Sequence, residues 1–339
     1  MTTRTKGLLY LSKSDILHLG GDTSALYMDA IHQALSRHAA KEFVQPLKPY
    51  LRWRGAEGHI ADRIIAMPAY LGGAAPMAGL KWIGSKHDNP SRHGLERASA
   101  LIVLNDAETH YPIAIMEGSL ISGMRTAAVT AVAARYLARE GFQHVACIGC
   151  GPIARMQLTT LLEQFPSISI ISLFDLSPVA SARLREELQQ RFPRVEFLIA
   201  ASAEQAIRRA EMVVTCTVAS EPYIPFEWLA RGTFVSNVSI MDVHKEVFLQ
   251  VDKVVVDDWD QSNREKKTIN QLVLEGRFSR EKLHAELGEI VIGRRPGRES
   301  ADEIILLNPM GMAIEDIACA QAVYQKAVDA EVGTWLSLE

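Results

Sequence analysis

"HVACIGCGPIARM", residues 144–156, decides the fold. A short β-branched and apolar run, "HVACIG", breaks into Gly149-x-Gly151-x-x-Ala154 and passes into the helically spaced "ARMQLTTLLEQF" at 154–165. A second apolar run, "ISIISLF" at 168–174, ends against Asp175, 24 positions beyond Gly151. Strand, glycine turn, helix, strand and acid in that order form a dinucleotide-binding fingerprint. Gly149 permits the tight turn, Gly151 lets the backbone approach a pyrophosphate, and Ala154 keeps the helix close to the strand. Pro152 suits the first helical turn, and the helix N-terminus offers unpaired N–H groups to an anion. Asp175 can accept the ribose hydroxyls but repels a 2′-phosphate, and no Arg directly follows it in "DLSPVA". The expected cofactor is therefore NAD rather than NADP.

Outward from this point the pattern repeats. "RVEFLIA" (194–200), "EMVVTCTV" (211–218), "GTFVSNVSI" (232–240) and "DKVVVDD" (252–258) read as further strands, with helical stretches such as "SAEQAIRRA" (202–210) and "PFEWLARG" (225–232) between several of them. Alternation of this kind predicts a parallel sheet covered on both faces. Residues 1–120 differ, mixing a helix at 24–43 with short strand-like runs such as "RIIAMPAYL", "GLKWIGS" and "SALIVLND". A long helical stretch closes the chain at 310–332, with Ile314, Ile317, Tyr324 and Val328 on one face. The expectation is an α/β protein: a Rossmann-type parallel-sheet domain at 125–305, and an α+β substrate-binding and dimerisation domain from 1–124 with 306–339.

Composition excludes several classes. The 339 residues carry 36 Lys and Arg against 40 Asp and Glu, and no basic tract stands out, so no nucleic-acid partner is expected. Neither a secretory signal nor an apolar run of about 18 residues is evident, so no membrane association is expected. The four cysteines do not make a disulfide framework; Cys147-x-x-Cys150 has no second pair and reads as small buried thiols. The expected location is the cytoplasm. The ten histidines show no metal spacing such as H-E-x-x-H, and no metal is expected.

Three cations stand in apolar surroundings: Lys81 in "GLKWIGSKHDNP", Arg125 ahead of an Ala-rich helix, and Arg63 in "HIADRIIAMP". Each is either a snorkelling or locally paired residue or a clamp for a substrate carboxylate, and the residues alone leave both readings open. The same holds for "NVSIMDVHKE" (237–246). Ser239-x-x-Asp242 could be a capping box, or Asp242 could itself cap a helix beginning near His244. Alternatively, an acid just past a parallel strand is well placed to be a general base beside a nicotinamide. Ile153, Thr217 and Ser239 complete the expected cofactor contacts.

The chain resembles the ornithine cyclodeaminase/mu-crystallin family over nearly its whole length. The resemblance rests on "GLKWIGSKHDNP", "MRTAAVTAVAARYLA", "IGCGPIARMQL", "VSIMDVHKEV" and "NPMGMAIEDIA", in that order. "GHIADRIIAMP", "DDWDQSNREKKTINQLVLEG" and "DEIILLNPMGMAIEDIA" are similar to the branch that makes 2,3-diaminopropionate for siderophores and related products from an N-substituted glutamate. The resemblance implies a homodimer acting on a small amino-acid-derived substrate. It implies that Lys81 and Arg125 hold a substrate carboxylate and that Asp242 is the base. Where cyclodeaminases carry a Gly- or Pro-containing turn, this chain has "MDVHKEV", which brings in His244 as a second proton carrier. The rival readings within the family are an ammonia-releasing lyase and a non-catalytic ligand binder.

Overall fold

In the computed structural model the chain is described over residues 7–53 and 62–338. It forms two compact units, Met1–Arg125 with Met312–Glu339 and Thr126–Gly311.

The second unit is an eight-stranded sheet, parallel throughout. Its strands run in the order Glu196–Ile199, Ile170–Phe174, His144–Ile148, Met212–Thr215, Phe234–Ser236, Ile305–Leu307, Lys253–Val256, Ala285–Glu286. Val145, Ala146, Cys147 and Ile148 are all buried, as a strand covered on both faces requires. On one face Ala146, Ile148, Val213, Val235, Val254 and Leu306 share a core with apolar residues of the covering helices. The chain leaves His144–Ile148 for one side of the sheet and later returns to its other side as Met212–Thr215. The carboxyl ends of these two strands are the topological switch point where such sheets bind ligands.

Local detail departs from the sequence reading in three places. The run 232–240 is a strand only over Phe234–Ser236, because Asn237 onward folds into a tight turn. The stretch 225–232 makes only the single 3₁₀ turn Phe226–Trp228. The unit extends past 305 to Gly311, since Ile305–Leu307 is an interior strand and the buried Asp257 then accepts from the N–H groups of Met310 (2.8 Å) and Gly311 (2.5 Å).

The first unit is a second eight-stranded sheet, mostly antiparallel. Its order is Thr334–Ser337, Gly7–Leu11, Pro112–Glu117, Ala98–Asp106, Met77–Ser85, Arg63–Leu71, Phe43–Val44, with Tyr50–Leu51 also paired to Arg63–Leu71. Helix Ala313–Asp329 packs against three of these strands and against helix Ala25–Ala40. Its buried face runs through Ala313, Ile317, Ala320, Val323 and Ala327. Val328, expected on that face, is 38% exposed, because small alanines fill the inward positions that an apolar-spacing argument gives to larger side chains. The register places Met67, Lys81, Ile102 and Met116 side by side on the covered face. The opposite face carries Tyr10, Tyr70, Trp82 and Leu101, each between 37% and 44% exposed. Among the described residues no helix is long and apolar enough to cross a membrane.

Candidate active site

In the second unit the glycine loop lies at the switch point. Gly149 has φ +88°, and a Cβ there would stand 2.7 Å from the Cys216 carbonyl, so no other residue fits without moving backbone. Gly151 is different. Its φ is −84° and a Cβ would meet nothing within 4 Å, so the protein itself does not demand glycine there. The open space lies at the N-terminus of helix Pro152–Gln164, whose first-turn residues Pro152 and Ile153 are exposed and half-buried while Ala154 is buried. Room plus unpaired N–H groups suits a pyrophosphate. Asp175 accepts from Cys150 N (2.7 Å) through one oxygen and from Ser177 N (2.8 Å) through the other. These bonds fix the carboxylate and leave each oxygen a further lone pair for a ribose hydroxyl. The loop residues and Asp175 therefore fit NAD.

The cysteines around this loop are free. Burial pushes the Cys150 thiol up to about 12, and the Cys216 side chain and burial hold Cys147 well above its ordinary value. Protonated, buried thiols are poor nucleophiles and poor metal ligands.

Asp242 is fully buried. Its Oδ1 accepts from Thr217 Oγ1 at 2.6 Å and from Tyr223 Oη at 2.8 Å, while its Oδ2 has no hydrogen-bond partner among the described residues. The carboxylate does not cap a helix: His244 is the N-cap of the short helix Lys245–Gln250. Nor does Ser239 form a capping box, since its hydroxyl donates to Thr215 Oγ1 (2.8 Å), which in turn donates to Asn237 Oδ1 (3.0 Å). Asn237 Nδ2 donates to Asn308 Oδ1 (2.8 Å) and to the Ile240 carbonyl (2.9 Å). This network holds Ile240 at φ +77°, an unfavourable value for a β-branched residue, two positions before Asp242. Thr217 commits its hydroxyl proton to Asp242, so toward a cofactor its side chain can only accept. Among the described residues no hydrogen bond joins His244 to Asp242.

In the first unit Lys81 and Arg125 come together on one acid. Lys81 Nζ lies 2.7 Å from Asp316 Oδ2 and donates to Ser122 Oγ at 2.9 Å. Arg125 donates through Nε to Asp316 Oδ1 (2.9 Å) and through Nη1 to Glu315 Oε2 (2.8 Å). All four charged groups are buried. Glu315 and Asp316 sit in the first turn of Ala313–Asp329, where the helix dipole favours acids. Burial lowers the Lys81 ammonium to about 8 although Asp316 pulls it back up; Arg125 and the buried Lys48 add repulsion. Arg63 is not part of this cluster. It pairs with Ser85, four residues along the strand from the Met67–Lys81 pair, or roughly 13 Å at ordinary strand rise, and its guanidinium lies over the Tyr50 ring. Arg97 donates to Ser85 Oγ at that same end (2.9 Å).

Tyr223, Glu315, Asp316, Lys48 and Arg97 had no signal in the sequence as site residues. The acid pair "ED" stands out only once the register has put Lys81 and Arg125 beside it.

The ornithine cyclodeaminase/mu-crystallin family model matches residues 19–331. Over 331 residues the chain is 58% identical to the N-((2S)-2-amino-2-carboxyethyl)-L-glutamate dehydrogenase of Staphylococcus aureus, spanning 98% of both chains. A solved structure of Thermococcus litoralis Δ(1)-pyrroline-2-carboxylate reductase with NADH and L-proline is 30% identical with a TM-score of 0.89, covering 96% of this chain and 99% of that one. An archaeal alanine dehydrogenase dimer with bound NAD is also 30% identical, with a TM-score of 0.87 over 98% and 100% of the two chains.

Proposed function

The chain belongs to the ornithine cyclodeaminase/mu-crystallin family, and from that premise we propose that it is an NAD-dependent dehydrogenase acting on a C–N bond of N-((2S)-2-amino-2-carboxyethyl)-L-glutamate. The products are 2-oxoglutarate and L-2,3-diaminopropionate, the latter a building block for siderophores. The observation that carries the substrate assignment is the likeness to the Staphylococcus aureus enzyme along nearly the whole of both chains.

The residues supply the rest of the reading. NAD, bound at Gly149–Ala154 with its ribose on Asp175, provides the hydride acceptor. The substrate nitrogen arrives as a secondary ammonium and must lose a proton before its lone pair can expel hydride from the glutamate α-carbon. Asp242 Oδ2, buried and without a donor, takes that proton. Once hydride has left and Asp242 has released its proton to solvent, water adds to the ketimine carbon and gives a proton to the same carboxylate. Asp242 then protonates the leaving nitrogen and takes the carbinol hydroxyl proton as the C=O forms and the C–N bond breaks. His244, half-buried at its helix N-cap, is the second candidate for the water step.

Three substrate carboxylates need several cations. Among the described residues Lys81 donates a hydrogen bond to Ser122 and ion-pairs with Asp316, so its three-donor ammonium retains a donor for an anion. Lys81 with Arg125 takes one carboxylate, and Arg63 serves another. The apolar face bearing Tyr10, Tyr70, Trp82 and Leu101 is the surface a second copy covers in a homodimer. Four free cysteines suit a reducing cytoplasm.

Purified protein, NAD and the substituted glutamate should yield NADH and 2-oxoglutarate in equal amounts. A parallel reaction with ornithine should give no ammonia. Ammonia from ornithine without net NADH would instead establish the lyase.

A further inference from the structure

We infer that Tyr223 and Thr217 are positioning residues that make the two oxygens of Asp242 unequal, loading Oδ1 with both hydroxyl donors and leaving Oδ2 as the oxygen that receives the substrate's proton. The inference rests on the reading of Asp242 as the base and adds how that base is aimed.

The hydroxyl directions follow from the surrounding bonds. Thr217 Oγ1 accepts from Ala219 N at 3.1 Å, so its single proton is left for Asp242 at 2.6 Å. Burial, with the Asp242 charge next, raises the Tyr223 phenol above its ordinary value, so it stays protonated and donates. Main-chain bonds hold the two residues together as well. The N–H groups of Tyr223 and Ile224 both donate to the Asp242 carbonyl at 2.9 Å, and a parallel bridge joins Ile224 to Val243. Backbone and side chain of one segment thus grip the same acid at both ends, which fixes the rotation of the carboxylate.

A purely structural partner set would be expected to satisfy both oxygens, since leaving one buried oxygen bare costs as much as the other bond gains. Two donors crowd one oxygen while its twin, equally buried, has none. The imbalance is explained if the missing donor arrives with the substrate. Tyr223 also differs chemically from the lysines and arginines that usually partner buried acids. A phenol donates a hydrogen bond without adding positive charge, so it can orient the carboxylate without forming an ion pair with it.

The test is spectroscopic and needs no turnover. Unequal hydrogen bonding makes the two C–O bonds unequal and widens the gap between antisymmetric and symmetric carboxylate stretches. The Asp242 bands are isolated as the infrared difference between wild type and Asp242→Asn, each without substrate. In Tyr223→Phe and in Thr217→Val the gap should narrow, with NAD affinity reporting that each variant is folded. Turnover by Tyr223→Phe should fall about ten-fold in kcat with a much smaller change in KM, the effect of losing one charge-assisted hydrogen bond. An unchanged gap in both variants overturns the inference, whatever happens to kcat. If Asp242→Asn still turns over at the wild-type rate, the base assignment fails, and that outcome is separate from the spectral one. If the gap narrows while the substituted glutamate is not a substrate, the aiming of Asp242 stands and the substrate assignment falls.

Discussion

Two fully buried carboxylates, Asp316 in the first unit and Asp242 in the second, have opposite surroundings. Asp316 is held by Lys81 on one oxygen and by Arg125 on the other. Asp242 has two neutral hydroxyls on one oxygen and nothing on the other. A carboxylate ion-paired with a cation on each oxygen serves to hold those cations in place. A carboxylate with neutral donors and one bare oxygen is still able to take a proton. On the proposed function the difference separates a strut from a base, even though burial is the same for both.

The comparison breaks most directly by exchanging the readouts. Asp242→Asn should leave unfolding by denaturant nearly unchanged and lower kcat by about 10²–10⁴-fold, the usual value of a positioned base. Asp316→Ala should do the reverse first. Removing one partner of a buried ion cluster leaves Lys81 without its acid and Arg125 with Glu315 alone, and costs about 3–5 kcal/mol of stability. A variant Asp316→Ala as stable as wild type would show that the cluster is not a strut. Full activity in Asp242→Asn would show that the bare oxygen is not the base.

The two sites were not equally legible in the sequence. Gly149, Gly151, Ala154 and Asp175 could be read because their meaning lies in short spacing along one strand–turn–helix–strand unit, and the sheet order places that loop at the switch point. Asp242 could be located, but nothing in "NVSIMDVHKE" says which oxygen is open. That depends on Tyr223 and Thr217, 19 and 25 positions away. The acid cluster was further out of reach, because Lys81 and Asp316 meet only after a C-terminal helix has docked on an N-terminal sheet. Hydrophobic periodicity shows that such a helix is buried but not which polar side chain it presents to a strand 235 positions earlier. Val328 illustrates the same limit: spacing alone favoured it over the smaller Ala327, which is the buried one.

The strut can be sharpened by pH. Lys81 lies at about 8 in the folded chain against 10.5 ordinarily, with burial the main cause. Below pH 8 both folded and unfolded chains carry the ammonium, and the folded state bears its desolvation. Between pH 8 and 10.5 the folded chain has released a proton that the unfolded chain still binds, so the contribution of Lys81 to stability rises with pH. Subtracting Lys81→Met from wild type removes the other titrating groups. The difference in unfolding free energy should then shift in favour of wild type by up to about 3 kcal/mol between pH 7.5 and 10.5. A flat difference would mean that Asp316 fully offsets the burial of the ammonium.

The smallest effect expected lies beside the base. Ile240 holds φ +77°, with Asn237 bonded to it through both its N–H and its carbonyl. A β-branched residue in that region stores roughly 1–2 kcal/mol. Glycine releases the strain, but it also frees the unfolded chain by about 0.5–1 kcal/mol, so Ile240→Gly should be stabilised by no more than about 1 kcal/mol. Alanine keeps the strain and loses side-chain contacts, so Ile240→Ala should be less stable than wild type. If the strained turn also helps to fix the backbone that leads into Asp242, the glycine variant should lose turnover a few-fold although it is no less stable. That opposition would tie the strain to the aim of the carboxylate, whereas parallel changes in stability and turnover would make the turn merely a tight corner.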